Sequence, residues 1–301
     1  MALHSPLSLS SPWLLDGPTG TELERRGYAT SLPLWTALAV RDCPELLRAV
    51  HRDYLVAGAD VITACTFRTS RHSLAKAGLA REARALTREA VALARDAAAH
   101  ASRPAWVAGS IAPLEDCYAP ARTPPQNVLR REHAMHAEAL VDAGADLLLI
   151  ETMPTLRESL VAARAASATG LPFVVSWIVR DGARLLDGTR IEECVDAILR
   201  TSPALLSVNC ASVQACSDAI PLLARAGVPF GAYANSGAPD GPFGFAPAPL
   251  DAQHYTAAVR EWLRAGATMA GGCCGTEPSH IAGLRALLDA SVSATGANTS
   301  P

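Results

Sequence analysis

The residues most able to do chemistry begin with an adjacent pair, Cys273-Cys274, set in Gly-Gly-Cys-Cys-Gly-Thr at the end of a short apolar run. Two neighbouring thiols behind two glycines read as ligands for a soft metal, the alternative being a strained vicinal disulfide. They cannot close a zinc site alone. The best third ligand is Cys210 in Leu-Ser-Val-Asn-Cys-Ala-Ser, where another apolar run stops at a small polar turn. Three thiolates and one open position suit a zinc ion that holds and activates a ligand. A closed structural site takes four ligands, usually from Cys-x-x-Cys pairs, and none occurs among the 8 cysteines. Cys210 lies too far from the pair for a local zinc knuckle, so a fold must gather them. The competing reading is three buried, inert cysteines packing as small hydrophobes.

The elements that must do the gathering are legible as a repeat. Ala-Gly before a strand start recurs at Ala57-Gly58, Ala143-Gly144, Ala226-Gly227 and Ala265-Gly266, each time after an amphipathic Ala/Leu/Arg-rich stretch. The glycine reads as a helix C-cap turning the chain back into a strand. Apolar runs at Trp13–Asp16, Val61–Thr66, Trp106–Ser110, Leu147–Glu151, Phe173–Ile178, Leu205–Asn209, Phe230–Ala234 and Thr268–Gly272 alternate with helical patterns. In 301 residues this predicts a single-domain (β/α)8 barrel over 12–290, with an N-terminal tail at 1–11 and a disordered tail at 291–301. A doubly wound open sheet is disfavoured because no strand leads into Gly-x-Gly-x-x-Gly. Barrel active sites lie at the C-terminal ends of the strands, and Asp16, Glu151, Cys210, Asn235 and Cys273-Cys274 all fall there. The Pro/Gly-rich loop 236–250 is long enough to cap that mouth.

Composition removes several function classes. A net charge of −3 argues against nucleic acid or an anionic membrane as the main partner, and no apolar run approaches transmembrane length. The first twelve residues lack the basic and apolar regions of a signal peptide, and free thiols suit a reducing compartment, so a cytoplasmic location is expected. Lys76 is the only lysine and lies in a helical stretch away from any strand end, which excludes Schiff-base chemistry.

Taken in order, Asp16-Gly17 to Arg26-Gly27, Gly109-Ser110, Glu151-Thr152, Val208-Asn209-Cys210, Asn235-Ser236-Gly237 and Gly271 to Gly275 resemble the homocysteine S-methyltransferase family. This family of zinc-thiol methyltransferases includes the homocysteine-binding modules of methionine synthase and betaine-homocysteine methyltransferase. The likeness runs from about residue 12 to 290. It implies that Cys210, Cys273 and Cys274 bind Zn2+ with the acceptor thiol in the fourth position. It also implies that Asp16 and Glu151 meet the homocysteine amino group, that backbone amides following Asp16, at Gly17 and Thr19, receive its carboxylate, and that Asn235 adjoins the substrate. The stand-alone length resembles the S-methylmethionine-dependent branch, so the expected donor is a sulfonium, S-methylmethionine or S-adenosylmethionine, and the expected product methionine.

Three departures bear on that expectation. Pro18 stands where the family commonly has Gly or Ala and removes a backbone donor. Cys65 stands where many relatives have Asn, and Ala112-Pro113-Leu114-Glu115-Asp116 replaces the usual Gly-Pro-Tyr-Gly. They motivate a second reading, the same zinc-thiolate chemistry on another small thiol or selenol. A third, of a different class, is a non-catalytic homocysteine or zinc sensor.

Other candidates have plainer readings. Cys43, Cys117, Cys194 and Cys216 read as packing or surface thiols, Cys117 being the one whose loop could bring it toward the mouth; Cys65 fits core and mouth equally. His133 and His136 share a helix face and read as a solvated surface. Trp177 and Tyr233, near strand ends, suit a cation-π contact to a sulfonium or ordinary core packing. Gly271-Gly272 could form a phosphate loop, but the cysteines that follow favour packing around a metal.

Overall fold

The computed structural model describes residues 12–180, 182–237 and 250–296. The strands are β1 (Trp13–Leu14), β2 (Val61–Ala64), β3 (Trp106–Ile111), β4 (Leu147–Met153), β5 (Phe173–Arg180), β6 (Arg184–Leu185), β7 (Leu205–Asn209), β8 (Phe230–Tyr233) and β9 (Met269–Ala270). The helices are α1 (Thr19–Arg25), α2 (Ala39–Asp42), α3 (Pro44–Val56), α4 (Arg71–Ala75), α5 (Ala83–Ala99) and α6 (Gln126–Ala143), then α7 (Leu156–Ser167), α8 (Ile191–Ile198), α9 (Val213–Leu223), α10 (Ala252–Arg264) and α11 (Pro278–Gly296).

Eight strands pair in parallel in the order β1-β9-β8-β7-β5-β4-β3-β2. A bridge between Leu15 and Val61 brings β1 back beside β2, so the sheet curls into a (β/α)8 barrel with helices between successive strands. All eight apolar runs are strands. The first and last are only two residues long, because Asp16 and Gly271-Gly272 leave the ladder to build the mouth. No sequence pattern marks β6, which folds back antiparallel on the extended end of β5.

Two apolar layers hold the barrel together. Inside it, Leu15, Val61, Ala108, Leu149, Val174, Leu205 and Met269 pack together; outside, residues such as Ile62, Val107, Leu148, Val175 and Val208 pack against the helices. Strands buried on both faces read as near-continuous apolar runs. The helix-to-strand turns follow the expected device: Gly144 and Gly266 sit at φ 88° and 96°, conformations that favour glycine. α11 continues to Gly296, past the boundary expected at residue 290, while 1–11 and 297–301 lie outside the described residues. Most of the 236–250 loop also lies outside them, but its ends are tied together: Leu250 N–H donates to Ser236 O at 2.5 Å. No described helix is long and apolar enough to cross a membrane.

Candidate active site

A cavity of about 150 Å³ opens at the C-terminal ends of the strands, and Asp16, Glu151, Cys210, Cys273 and Cys274 all line it. Each is put there by a local break in regular strand. Cys210 follows β7 with φ 53°, a left-handed conformation disfavoured for a side chain with Cβ, and its N–H donates to Tyr233 O on β8 at 3.3 Å. Cys273 N–H donates to Ala234 O at 2.9 Å. The preceding glycines are required by close approach: a Cβ on Gly271 would lie 2.8 Å from Leu15 Cβ, and one on Gly272 would lie 2.1 Å from Thr276 Oγ1. They serve packing beneath the cysteines.

The three sulfurs lie within 4.8 Å of one another, with Cys210 and Cys274 3.9 Å apart, and all three residues are buried. Hydrogen bonds from Cys273 and Cys274 hold the Cys210 thiol well below its ordinary range, with Tyr118 contributing another. The same interaction pushes Cys273 and Cys274 well above it. The protein alone therefore supports one negative charge among three thiols, because each further ionisation meets the first at close range. A soft divalent cation would let all three ionise, and the donor set fits one. The buried side-chain amide of Asn235 adjoins the cluster and adds to the interactions that hold the Cys210 thiol low.

The carboxylates form the other end. Thr63 donates to Asp16 twice, from its N–H at 2.7 Å and its hydroxyl at 2.9 Å, yet burial raises the Asp16 carboxyl to about 7. Glu151 sits at an irregularity in β4 between Ile150 and Met153, a bulge that turns its side chain into the barrel. It accepts from Ser110 Oγ at 2.5 Å and Tyr233 OH at 3.4 Å, and burial raises it too to about 7. Among the described residues neither carboxylate has a cationic side chain as partner, so both wait for a positive charge from elsewhere. Thr152, beside Glu151, has φ 60°; it is held by Asn209, whose Oδ1 accepts Thr152 N–H at 2.9 Å and Ser176 Oγ at 2.8 Å, and whose Nδ2 donates to Thr152 Oγ1 at 2.8 Å. One buried amide thus ties the ends of β4, β5 and β7 just where Glu151 and Cys210 leave them.

Gly17 and Thr19 line the cavity at the start of α1, and Gly17 leaves no room for a side chain, since a Cβ there would lie 2.6 Å from the Tyr54 ring. Cys65 also lines the cavity, its Sγ 3.5 Å from Thr36 Oγ1 and its thiol raised to about 11 by burial. Lys76 pairs with Glu115 at 2.8 Å, away from the cluster.

The structure corrects one sequence expectation and decides between others left open. His133 and His136 are buried rather than solvated, because this face of α6 packs inward: His133 Nε2 lies 3.1 Å from Glu158 Oε1, and His136 Nε2 lies 3.2 Å from Ser110 O. Trp177 points out of the barrel, donating to Ser159 Oγ on α7 at 3.1 Å, so it faces no ligand in the mouth; Tyr233 does line the cavity. Cys117 reaches the cavity wall, as its loop allowed, whereas Cys194 and Cys216 are buried under the helices. Thr63, Ser110, Tyr118, Trp35, Phe67 and Arg68 line the site without having been singled out. Ser110 alone carried a signal, in Gly109-Ser110 at the end of the third run.

Comparison with known proteins agrees with this geometry. Residues 13–288 match the family model described as homocysteine S-methyltransferase. A homocysteine S-methyltransferase of Escherichia coli strain K12 is 33% identical, over 91% of this chain and 94% of that protein. A selenocysteine methyltransferase of Astragalus bisulcatus is 29% identical over 94% of each. The crystal structure of the homocysteine methyltransferase MmuM from Escherichia coli in its metallated form superposes with a TM-score of 0.82 at 30% identity, covering 93% of this chain and 98% of that one.

Proposed function

The chain belongs to the homocysteine S-methyltransferase family, and on that premise we propose that it is a zinc enzyme moving a methyl group from a sulfonium, S-methylmethionine or S-adenosylmethionine, to L-homocysteine to give methionine. The observation that supports this most is the meeting, in one cavity, of three clustered thiols with two buried carboxylates that have no cationic partner among the described residues.

Cys210, Cys273 and Cys274 would hold the metal. Zinc, when bound, supplies the Lewis acidity that removes the thiol proton at neutral pH while leaving the acceptor sulfur nucleophilic. Asp16 and Glu151 receive the acceptor's ammonium group, whose charge restores both carboxylates to the ionised state that burial opposes. Backbone amides at Gly17 and Thr19 receive its carboxylate; Pro18 offers none. Ser110, Thr63 and Tyr233 fix the carboxylate oxygens, so the ammonium meets a set geometry and the acceptor sulfur is directed toward the cysteines. In the transfer, the new sulfur–carbon bond forms as the donor's sulfur–methyl bond breaks. That bond's electron pair stays on the donor sulfur, which leaves as a neutral thioether, and the acceptor's proton goes to solvent. A neutral leaving group needs no general acid.

The test is methyl transfer itself. Reduced, zinc-loaded protein is given L-homocysteine with S-methylmethionine or S-adenosylmethionine carrying a labelled methyl group, and labelled methionine is measured by mass spectrometry. Labelled product from either donor establishes the reaction. Its absence in protein of full zinc content overturns the reading. The likeness to a selenocysteine methyltransferase favours including selenocysteine as a competing acceptor: its preferential methylation would move the substrate assignment while keeping the site.

A further inference from the structure

Arg68 is a buried cation on the wall of the catalytic cavity. It lies between β2 and α4, is only 6% exposed, and lines the same cavity as the three cysteines. Nη1 donates to the carbonyl oxygens of Pro113 at 3.0 Å and Glu115 at 2.9 Å, while Nε is buried and has no hydrogen-bond partner. The guanidinium carbon rests 5.1 Å from the centroid of the Phe67 ring, which fixes the plane of the group. Among the described residues it forms no direct ion pair, and Cys117, Asp116, Glu115 and Glu158 act on it only through longer-range charge. Glu115, whose carbonyl it touches, turns its carboxylate to His72, Lys76 and Arg122 instead.

Two carbonyls satisfy part of a guanidinium but do not neutralise it, and burial of an unpaired charge is costly. A buried arginine at a cavity wall is therefore matched by an anion that arrives with the ligand, and the planar fork selects a carboxylate. The acceptor's carboxylate already has a place in the reading above, at the amides after Asp16. The donor's has none.

We infer that Arg68 receives the α-carboxylate of the methyl donor, so that the enzyme selects sulfoniums that are themselves amino acids. This rests on the sulfonium-donor reading and narrows it: S-methylmethionine and the methionyl part of S-adenosylmethionine both carry the required group, whereas a sulfonium without a carboxylate, such as trimethylsulfonium, does not. Arg68 is then a donor-specificity residue, and Phe67 positions it.

The experiment compares two donors at saturating L-homocysteine: S-methylmethionine and its decarboxylated analogue, 3-aminopropyl-dimethylsulfonium. In the wild-type enzyme the analogue should show a KM at least about tenfold higher, the range of one charge-assisted pair. Arg68→Gln should raise the KM for S-methylmethionine by about 10- to 100-fold, leave that for the analogue within about threefold, and leave that for L-homocysteine within about threefold. Arg68→Lys should fall between, having charge without the fork. A rise in the homocysteine KM with the donor KM unchanged assigns Arg68 to the acceptor and overturns the inference. So does an equal loss with both donors, which makes Arg68 a support for the loop at Pro113 and Glu115. If the variants fail to fold, the wild-type comparison decides, because equal KM values for the two donors overturn the inference without any substitution. Absence of wild-type turnover with every sulfonium defeats the parent reading and is seen before any variant is made.

Discussion

The hydroxyl of Tyr118 lies 3.2 Å from the sulfur of Cys210, joining the loop after β3 to the thiol cluster across the mouth of the barrel. Tyr118 replaces nothing in the cluster; it adds a hydrogen bond to the one sulfur that carries the negative charge. Tyr118→Phe should therefore make Cys210 a weaker thiolate in metal-free protein. Alkylation by iodoacetamide across a range of pH, followed at Cys210 by peptide mass spectrometry, should show its midpoint move upward by about one unit, the effect of one hydrogen bond to a charged group. An unchanged midpoint would show that Tyr118 contributes nothing to the charge on Cys210.

Replacing any one of Cys210, Cys273 or Cys274 by Ser leaves two thiols for a site that the geometry builds from three. Each variant should retain the barrel, since all three sit beyond the ends of their strands, but hold zinc roughly a hundredfold or more less tightly. Competition with a chromophoric chelator measures this without reference to turnover. Wild-type retention in all three variants would remove the cluster from metal binding.

Asp16 makes stability depend on pH in a direction opposite to that of a salt-bridged carboxylate. Its carboxyl titrates at about 7 in the folded protein against 3.8 in an open chain, so the folded state holds the proton more tightly. The stability this provides is complete below pH 3.8 and is lost as pH rises through 7, by an amount on the order of 4 kcal/mol. Urea unfolding of metal-free protein at pH 5 and pH 8 should show a smaller decline for Asp16→Asn than for wild type. Equal declines would mean that the Asp16 proton is not held by the fold.

Glu158 is the anchor of the loop that carries Cys117 and Tyr118. Its Oε1 accepts Leu114 N–H at 2.8 Å and faces His133 Nε2 at 3.1 Å, both in buried surroundings. Glu158→Ala strands a buried N–H and a buried imidazole, and should reduce stability by about 3 kcal/mol in urea unfolding. It should also free the loop, so that protease cleavage near Tyr118 becomes faster than in wild type. A stability change below about 1 kcal/mol would show that the loop holds itself.

The thiol cluster and the two carboxylates were legible because each stands at a strand end, where the barrel's topology alone fixes the side that faces the mouth. What lay beyond reach depended on directions that periodicity does not encode. Both faces of a parallel barrel strand are apolar, so nothing in Phe173–Arg180 says that Trp177 points outward while Ile178 points inward. The face shared by His133 and His136 was visible, but a helix face bearing histidine and glutamate resembles a wet one; it is buried because Ser110 O and Glu158 complete its hydrogen bonds. Arg68 and Tyr118 belong to loops whose paths are set by long-range contacts, Arg68 to the carbonyls of Pro113 and Glu115 and Tyr118 to the sulfur of Cys210, and no motif announces them.

The register of β1 on β9, Trp13 against Met269 and Leu14 against Ala270, also orders events in time. Gly272 N–H reaches Asp16 O at 3.0 Å, so the turn bearing Cys273 and Cys274 is completed by a residue just after β1, made long before it. A chain emerging from the ribosome carries Cys210 long before its two partners exist, and even then the partners lack their bed until the ring of strands shuts. The three thiols therefore come together only when the ring of strands shuts, and a metal held by all three would report that β1 and β9 have paired.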